Sequence, residues 1–381
     1  MMRCKALVAV LALVTGVGSV MADEPGVRAI MQEVLAGRMS VAQQQLESLA
    51  ATADSHLVAQ LTVELGDMAS GNYATRDNRA FKDLAPLWAD ARAQWVATHT
   101  PTQPATLPAS VLSLDRAIKE IFVVDGKRSV AWLLTRGDGG WQIGDGFYVS
   151  IGTEGLDKRR RGDAKTPLGI YWIVEELDST RLPPRYGVRV FPLDYPNVLD
   201  RLQRRTGDGI WIHGIDPDNN IRPPLDTDGC VALVNERILA LGSRLSPQQT
   251  PVIIVDGVDW QRPRTSRLNA LRETLYAWRD ALASGDESAY FDAFVDDYAR
   301  FGMSHSLWRA GRQAALANAA SLSIEIDSLS VFLADKDTDV FLTRFRQQTK
   351  RGDAEPITIW RRLYWQRGRD GRFRIIAEQN G

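Results

Sequence analysis

The sequence predicts a multidomain protein with a helical N-terminal region, a mostly-β middle domain and an α+β C-terminal domain. Its 381 residues exceed the usual length of one domain. Apolar residues recur at helical spacing in the first third, whereas alternation of apolar and polar residues begins only in the middle third. The predicted units are a signal peptide at 1–22, the helical region at 23–105, the mostly-β domain at 115–257 and the C-terminal domain at 265–381.

Residues 1–22 have the pattern of a secretory signal peptide. Arg3 and Lys5 precede an apolar run, and Ala22 ends it where a signal peptidase cleaves. The run is too short for a spanning helix, so we expect an exported or periplasmic mature chain without an integral membrane segment. A buried N-terminal helix is the alternative. Cleavage removes Cys4 and leaves Cys230 as the single cysteine, which cannot form an internal disulfide.

The composition excludes two classes of function. Lys and Arg number 46 and Asp and Glu 47, so the chain has no overall positive charge to attract nucleic acid. The four histidines and two cysteines lie at none of the close spacings of a zinc site. We therefore expect no nucleic-acid partner and no metal site of this kind.

The helical region carries apolar residues on one face of each predicted helix, at Val27, Ile30, Met31, Val34 and Leu35, at Val41, Leu46 and Leu49, and at Leu57, Leu61 and Leu65. A linker rich in Pro and Thr follows at 98–110. The region has no residues at catalytic spacing. We interpret it as a packing unit or as the interface of a homodimer.

The middle domain begins with a predicted hairpin. Strands at 118–124 and 130–134 flank Asp125-Gly126, a dipeptide typical of hairpin turns, and further short strands are predicted at 147–151 and 169–174. The C-terminal domain instead starts with helices and continues with alternating strands from Leu322 onward, which is typical of an α+β domain. Its aromatic stripe at Tyr290, Phe291, Phe294 and Tyr298 is interpreted as core, with a ligand cavity as the alternative.

His213 and Cys230 form the most informative pair in the sequence. They lie 17 residues apart in a loop rich in Gly, Pro and Asp between apolar runs. A thiolate is a good nucleophile, and a neighbouring imidazole can take the thiol proton and return it to a leaving amine. Gly229 allows a close approach of backbone to substrate and offers an N–H group to an oxyanion. An inert buried cysteine is the alternative.

This segment resembles the signature of the L,D-transpeptidase (YkuD-like) catalytic domain family. The resemblance rests on His213-Gly214, a spacer, and Thr227-Asp228-Gly229-Cys230. Gly162-Asp163 and Thr166-Pro167 are similar to a second element of that family, so the likeness covers about 115–257. The last segment resembles the SnoaL-like, nuclear-transport-factor-2-like domain of a cell-shape L,D-carboxypeptidase branch, a cone-like α+β fold.

The resemblance implies the roles of the site residues. Cys230 is expected to be the nucleophile, His213 the general base and acid, and the Gly229 backbone the oxyanion donor, with no cofactor. The substrate is expected to be a peptidoglycan stem peptide, attacked between its diamino acid and the terminal D-Ala. The residues expected to bind this substrate are Gly214, Arg222, Thr227 and Lys158.

Two residues depart from the family pattern. Asp228 stands where the signature has His, and Ala232 stands where many transpeptidases have an Arg that binds the acyl donor. The second change favours hydrolysis, although most of the family are transferases. We therefore expect an L,D-transpeptidase, with an L,D-carboxypeptidase and a non-catalytic cell-wall binding protein as alternatives. A thiol that alkylates fast near neutral pH would indicate the enzyme.

Overall fold

The computed structural model describes residues 24–70, 84, 86–91, 95, 99, 107–144, 146–218, 222–260, 265–300, 302–319 and 322–380. The predicted signal peptide lies outside these residues. Among the helices they form, none combines the length and the apolar character needed to cross a membrane. The predicted order of a helical region, a mostly-β domain and an α+β domain is confirmed.

The N-terminal region folds into helices α1 (Glu24–Leu35), α2 (Met39–Leu49) and α3 (Ser55–Ser70). Their apolar faces pack on the middle domain, because Val27 and Leu57 share one buried cluster with Val123 of the β-sheet. Arg128 Nε also donates to the Leu35 carbonyl at 3.0 Å. The region is therefore a packing unit within the chain. A homodimer through these helices stays a prediction, and it would have to use their remaining surface.

The middle domain is built on a mixed sheet whose strands run in the order β4-β3-β2-β12-β7, with β5 paired to β3. The predicted hairpin is present as the antiparallel pair β2–β3. The last strand, β12, pairs in parallel with β2, so the two ends of the domain's sequence lie side by side in the sheet. These strands are β2 (Glu120–Asp125), β3 (Val130–Gly137), β4 (Gly140–Ile143), β5 (Phe147–Tyr148), β7 (Gly169–Trp172) and β12 (Pro251–Val255).

Both faces of this sheet are covered, which explains the continuous apolar run of β2. Ile121 and Val123 point to the N-terminal helices, whereas Phe122 and Val124 point to the opposite core. That second core is covered by two small sheets, of order β8-β9-β11 and β6-β10. Their strands are β6 (Ile151–Gly152), β8 (Val190–Pro192), β9 (Trp211–His213), β10 (Leu225–Thr227) and β11 (Val231–Ala232). Helices α4 (Val198–Leu202) and α5 (Asn235–Gly242) complete the domain.

The C-terminal domain packs three helices on a curved antiparallel sheet. Its elements are α6 (Thr265–Ser284), α7 (Glu287–Asp292), α8 (His305–Ala317), β13 (Leu322–Asp335), β14 (Val340–Arg351), β15 (Ile357–Arg367) and β16 (Phe373–Asn380). Strand β13 has a bulge after Asp327, which changes the face to which its alternate residues point. Tyr290, Phe294 and Tyr298 are buried in one cluster, and the last two contact Trp308, as expected for core.

A short strand of the linker, β1 (Val111–Ser113), does not join the sheet of the middle domain. It pairs with β13 and becomes the edge of the C-terminal sheet. A buried joint holds the two domains together nearby. There the Arg362 guanidinium pairs with Asp194 and lies 4.1 Å above the Trp172 ring, while Asp194 also accepts from the Trp172 amide at 2.7 Å.

Candidate active site

The two small parallel strands β9 and β11 bring His213 and Cys230 together. Ile212 is level with Val231, and His213 is level with Ala232. Continuing that register places Cys230 beside Trp211, which shares a face of β9 with His213 because alternate residues of a strand point the same way. The Trp211 backbone is also close enough to the Cys230 sulfur to lower the pKa of the thiol. The pairing of β9 with β11 therefore places two residues that are 17 positions apart in the sequence at one site.

The His213 ring is buried and held in one orientation. Its Nδ1 lies 2.5 Å from the Gly214 carbonyl, which can only accept, so Nδ1 carries the proton and Nε2 is the free basic nitrogen. The Tyr186 ring meets the imidazole edge-on, with centroids 5.2 Å apart. Burial lowers the pKa of His213 to about 4, and nearby Arg222 and Arg185 act in the same direction.

The Cys230 thiol is enclosed as well, with 7% of the residue exposed. Its Sγ lies 3.4 Å from the Gly209 carbonyl. Burial raises the pKa of the Cys230 thiol to about 11, and the Asp228 carboxylate contributes to the increase. The pair is therefore a neutral thiol beside a neutral imidazole at pH 7. The expected fast alkylation near neutral pH does not follow from this geometry, because a buried, protonated thiol reacts slowly.

The turn before Cys230 is fixed by Thr227, which is buried and points away from solvent. Thr227 Oγ1 accepts from the Gly229 amide at 3.0 Å and donates to the Cys230 carbonyl at 2.8 Å. The Gly229 N–H predicted to bind the oxyanion is thus already engaged. The Cys230 N–H has no hydrogen-bond partner within the described part of the chain, and it is the amide left for that role.

A second layer holds this turn from behind. Thr166 Oγ1 donates to the Gly229 carbonyl and accepts from the Gly152 amide, both at 2.9 Å. Gly229 has a φ of +123°, and a Cβ there would lie 2.5 Å from the Lys165 carbonyl. No other residue type fits this position without moving the turn. The Gly-Asp…Thr-Pro element upstream therefore supports the catalytic turn rather than lining it.

Gly214 and Thr227, both expected to bind substrate, have structural contacts instead. A Cβ on Gly214 would lie 2.3 Å from Asn235 Oδ1 and 3.0 Å from the Val188 amide. Asn235 clamps the backbone of Ile215 with two hydrogen bonds, of 3.1 and 2.9 Å. Gly214 thus lets the segment before β8 close over His213, while its carbonyl orients the imidazole.

Lys158 and Arg222 also differ from the expectation. Lys158 is 3% exposed, and its Nζ binds Asp163 at 2.6 Å, so the ammonium is enclosed in its own loop. Arg222 lies near the site but its Nε is 3.0 Å from Asp226 Oδ2, and its carbonyl accepts from the Tyr148 hydroxyl. Neither geometry supports direct binding of a substrate carboxylate.

The two departures from the family pattern have clear positions. Asp228 is exposed at the mouth of the turn, close enough to act on the Cys230 thiol. Ala232 is buried on β11, level with His213, and supplies no charge. Within the described ranges, no three His, Cys, Asp or Glu side chains converge as a metal site would require.

Comparison with known proteins identifies both folded units. Residues 119–254 match the family model of the L,D-transpeptidase catalytic domain, YkuD, and residues 270–379 match that of the Cds6 C-terminal NTF2-like domain. No curated protein matches the sequence.

Solved structures of two proteins are similar in fold to most of this chain. Bd1075 of Bdellovibrio bacteriovorus is 24% identical with a TM-score of 0.59, and the match covers 72% of this chain and 98% of Bd1075. The helical cell shape determining protein Pgp2 of Campylobacter jejuni is 20% identical with a TM-score of 0.60, and the match covers 76% of this chain and 99% of Pgp2. At these identities the likeness concerns the fold.

Proposed function

Since the chain combines a YkuD L,D-transpeptidase catalytic domain with a Cds6-type NTF2-like domain, we propose that it is an exported L,D-carboxypeptidase. It would trim the terminal D-Ala from tetrapeptide stems of peptidoglycan. The observation that carries this proposal is the pairing of Cys230 with an oriented His213 at the end of two parallel strands. The signal-peptide pattern at 1–22 supports export.

The chemistry begins with two neutral groups. As Cys230 Sγ attacks the carbonyl carbon of the diamino acid, its proton passes to His213 Nε2, the only ring nitrogen that can accept one. The carbonyl oxygen becomes an oxyanion, for which the Cys230 N–H is the available donor. Collapse breaks the C–N bond, and Nε2 returns the proton to the departing D-Ala amine. A thioester remains on Cys230.

Water completes the reaction. It attacks the thioester carbonyl while His213 Nε2 accepts one of its protons, and the thiol leaves with that proton. The products are a tripeptide carboxylate and free D-Ala. This mechanism needs no stable thiolate, because the proton moves from sulfur to nitrogen as the bond between sulfur and carbon forms.

Transfer to an amine, the L,D-transpeptidase reaction, is the second candidate. The family that the middle domain matches favours it. Against it, the buried Ala232 offers no cation on the strand next to His213, where many transpeptidases have one. The match of the last domain to the Cds6 C-terminal NTF2-like domain also supports trimming, because this segment resembles the domain of a cell-shape L,D-carboxypeptidase branch.

The deciding experiment incubates the purified chain with a disaccharide tetrapeptide and identifies the products by mass. We expect tripeptide and D-Ala, with no turnover by Cys230→Ser. A cross-linked dimer, or exchange of the terminal residue with added D-amino acid, would establish transpeptidation instead.

A separate experiment with a carbapenem tests the nucleophile, because the strained carbonyl of the carbapenem can acylate the thiol in the absence of a stem peptide. One adduct on the wild-type chain and none on Cys230→Ser is expected. Folded protein with neither turnover nor adduct would indicate a cell-wall binding protein.

A further inference from the structure

The catalytic pair lies in the electrostatic field of two arginines that reach it from different loops. Arg222 comes from the segment between His213 and Cys230, and Arg185 from the turn Pro184–Tyr186. Both act on His213 and on Cys230. A substrate that ends in a carboxylate two bonds from the scissile nitrogen needs a cation at this place, and Ala232 does not supply it.

The surroundings of the two arginines distinguish them. Arg222 is largely buried and its charge is balanced by Asp226 at 3.0 Å. Arg185 is exposed, and within the described part of the chain it has no carboxylate partner. Its Nη2 donates to the neutral Tyr186 hydroxyl at 3.0 Å, and its guanidinium lies 4.9 Å from the centre of that ring. Among the described residues, Arg185 thus has no carboxylate that balances its charge.

Tyr186 fixes where that charge is presented. Its ring packs on Trp211, at 4.8 Å between centroids, and meets His213 edge-on at 5.2 Å. The turn is held against the catalytic strand because Gly187 fits against Gly214 and Asn235 with no room for a Cβ. Arg185 is therefore stacked over the ring that borders the imidazole.

We propose that Arg185 binds the carboxylate of the terminal D-Ala and thereby selects stem peptides that end at that residue. This assignment rests on the proposed carboxypeptidase function. A guanidinium forms charge-assisted hydrogen bonds with a carboxylate, and those bonds are lost when the peptide continues or ends in an amide. Arg185 would thus restrict the site to peptide ends. Arg222 would only hold the shape of its loop and contribute to the electrostatic field at His213 and Cys230.

The test compares tetrapeptide stems that end in D-Ala with stems that end in D-alaninamide. For the wild-type chain we expect kcat/KM to favour the free acid on the order of tenfold or more. Arg185→Gln should lose that preference, chiefly by slower turnover of the acid, and Arg185→Lys should recover part of it. Arg181→Gln is the matched control, since Arg181 is an exposed arginine of the same loop whose guanidinium faces Asp178.

Retention of the wild-type preference by Arg185→Gln would overturn the assignment, as would a wild-type chain that cleaves acid and amide equally well. The proposed function fails separately. Folded wild-type chain that cleaves neither peptide removes both the function and the assignment, whereas cleavage with an unaltered preference in Arg185→Gln removes only the assignment.

Discussion

At the scale of single residues, burial favours the uncharged forms of both His213 and Cys230. His213 and Cys230 are both buried, and burial shifts their pKa values in opposite directions, to about 4 and to about 11. An imidazolium–thiolate pair is therefore disfavoured in the free protein. In the proposed mechanism the thiol becomes acidic only as its sulfur bonds to the substrate carbonyl carbon, and its proton then passes to the His213 nitrogen.

The lowered pKa of His213 predicts how stability depends on pH. In the unfolded chain the imidazole binds a proton near pH 6.5, whereas in the folded chain it does so near pH 4. The neutral ring therefore contributes stability above pH 6.5, and this contribution is lost as the pH falls to 4. The loss amounts to about 3 kcal/mol.

Urea unfolding of wild type and His213→Gln at pH 7, 5.5 and 4 measures this contribution. The difference in unfolding free energy between the two should shift in favour of the variant as the pH falls, because Gln has no proton to gain. Other titrating groups are the same in both chains and cancel. A difference that stays constant with pH would contradict the pKa assigned to His213.

The sequence was sufficient to propose His213 and Cys230 as the reacting pair but not to place the residues around them. The two lie 17 residues apart in a motif that resembles that of a known family, and their expected roles follow from that resemblance. Arg185 is distant in sequence and reaches the site only because the turn at Tyr186 folds over β9. Lys158 was expected at the substrate, but its partner Asp163 lies five residues away in a loop whose curvature the sequence does not show.

At the scale of elements, the catalytic turn depends on a strand and a loop that carry no reacting group. Thr166 is fully buried and links the carbonyl of Gly229 to the amide of Gly152. We expect Thr166→Val to keep the shape of the side chain and leave both groups without a partner. The loss should be about 1–3 kcal/mol of stability for each orphaned buried group, together with a lower kcat.

Thr358→Val is the control for that substitution, because Thr358 is an exposed residue of β15. Chemical unfolding and steady-state kinetics of both variants give the comparison. Equal effects of the two substitutions, or an unchanged kcat in a destabilised Thr166→Val, would show that the hydrogen bonds behind the turn do not position Cys230.

Some strand pairings could be predicted from the sequence pattern and others could not. The β2–β3 hairpin was predictable, since the turn signal and the alternation lie next to each other. The parallel pairing of β2 with β12 was not, because it joins the two ends of the domain. The pairing of β9 with β11, which creates the site, involves strands of three and two residues, too short to produce a detectable period.

At the scale of the whole molecule, a buried ion pair joins the catalytic and C-terminal domains. Arg362 is 3% exposed and pairs with Asp194, which also receives the Trp172 amide. Arg362→Gln would leave the carboxylate without its cation in a poorly hydrated joint. We expect a loss of about 3–5 kcal/mol in the free energy of unfolding.

Arg372→Gln serves as the reference for this measurement. Arg372 is 67% exposed and lies 3.6 Å from the equally exposed Asp292, so its removal should cost less than about 1 kcal/mol. Urea unfolding of both variants gives the two free energies of unfolding to be compared. Losses of equal size in the two variants would mean that the joint contributes no more than a surface pair.

The strand β1 can pair only after β13 of the C-terminal domain has been synthesised. Val111 lies before the residues of the site in the sequence, yet its partner Phe332 lies roughly two hundred positions after it. Until β13 is present, β1 has no strand to pair with. Such distant pairing is slow to form. A chain cut short before β13 therefore keeps β1 as an unpaired strand that chaperones and proteases can recognise.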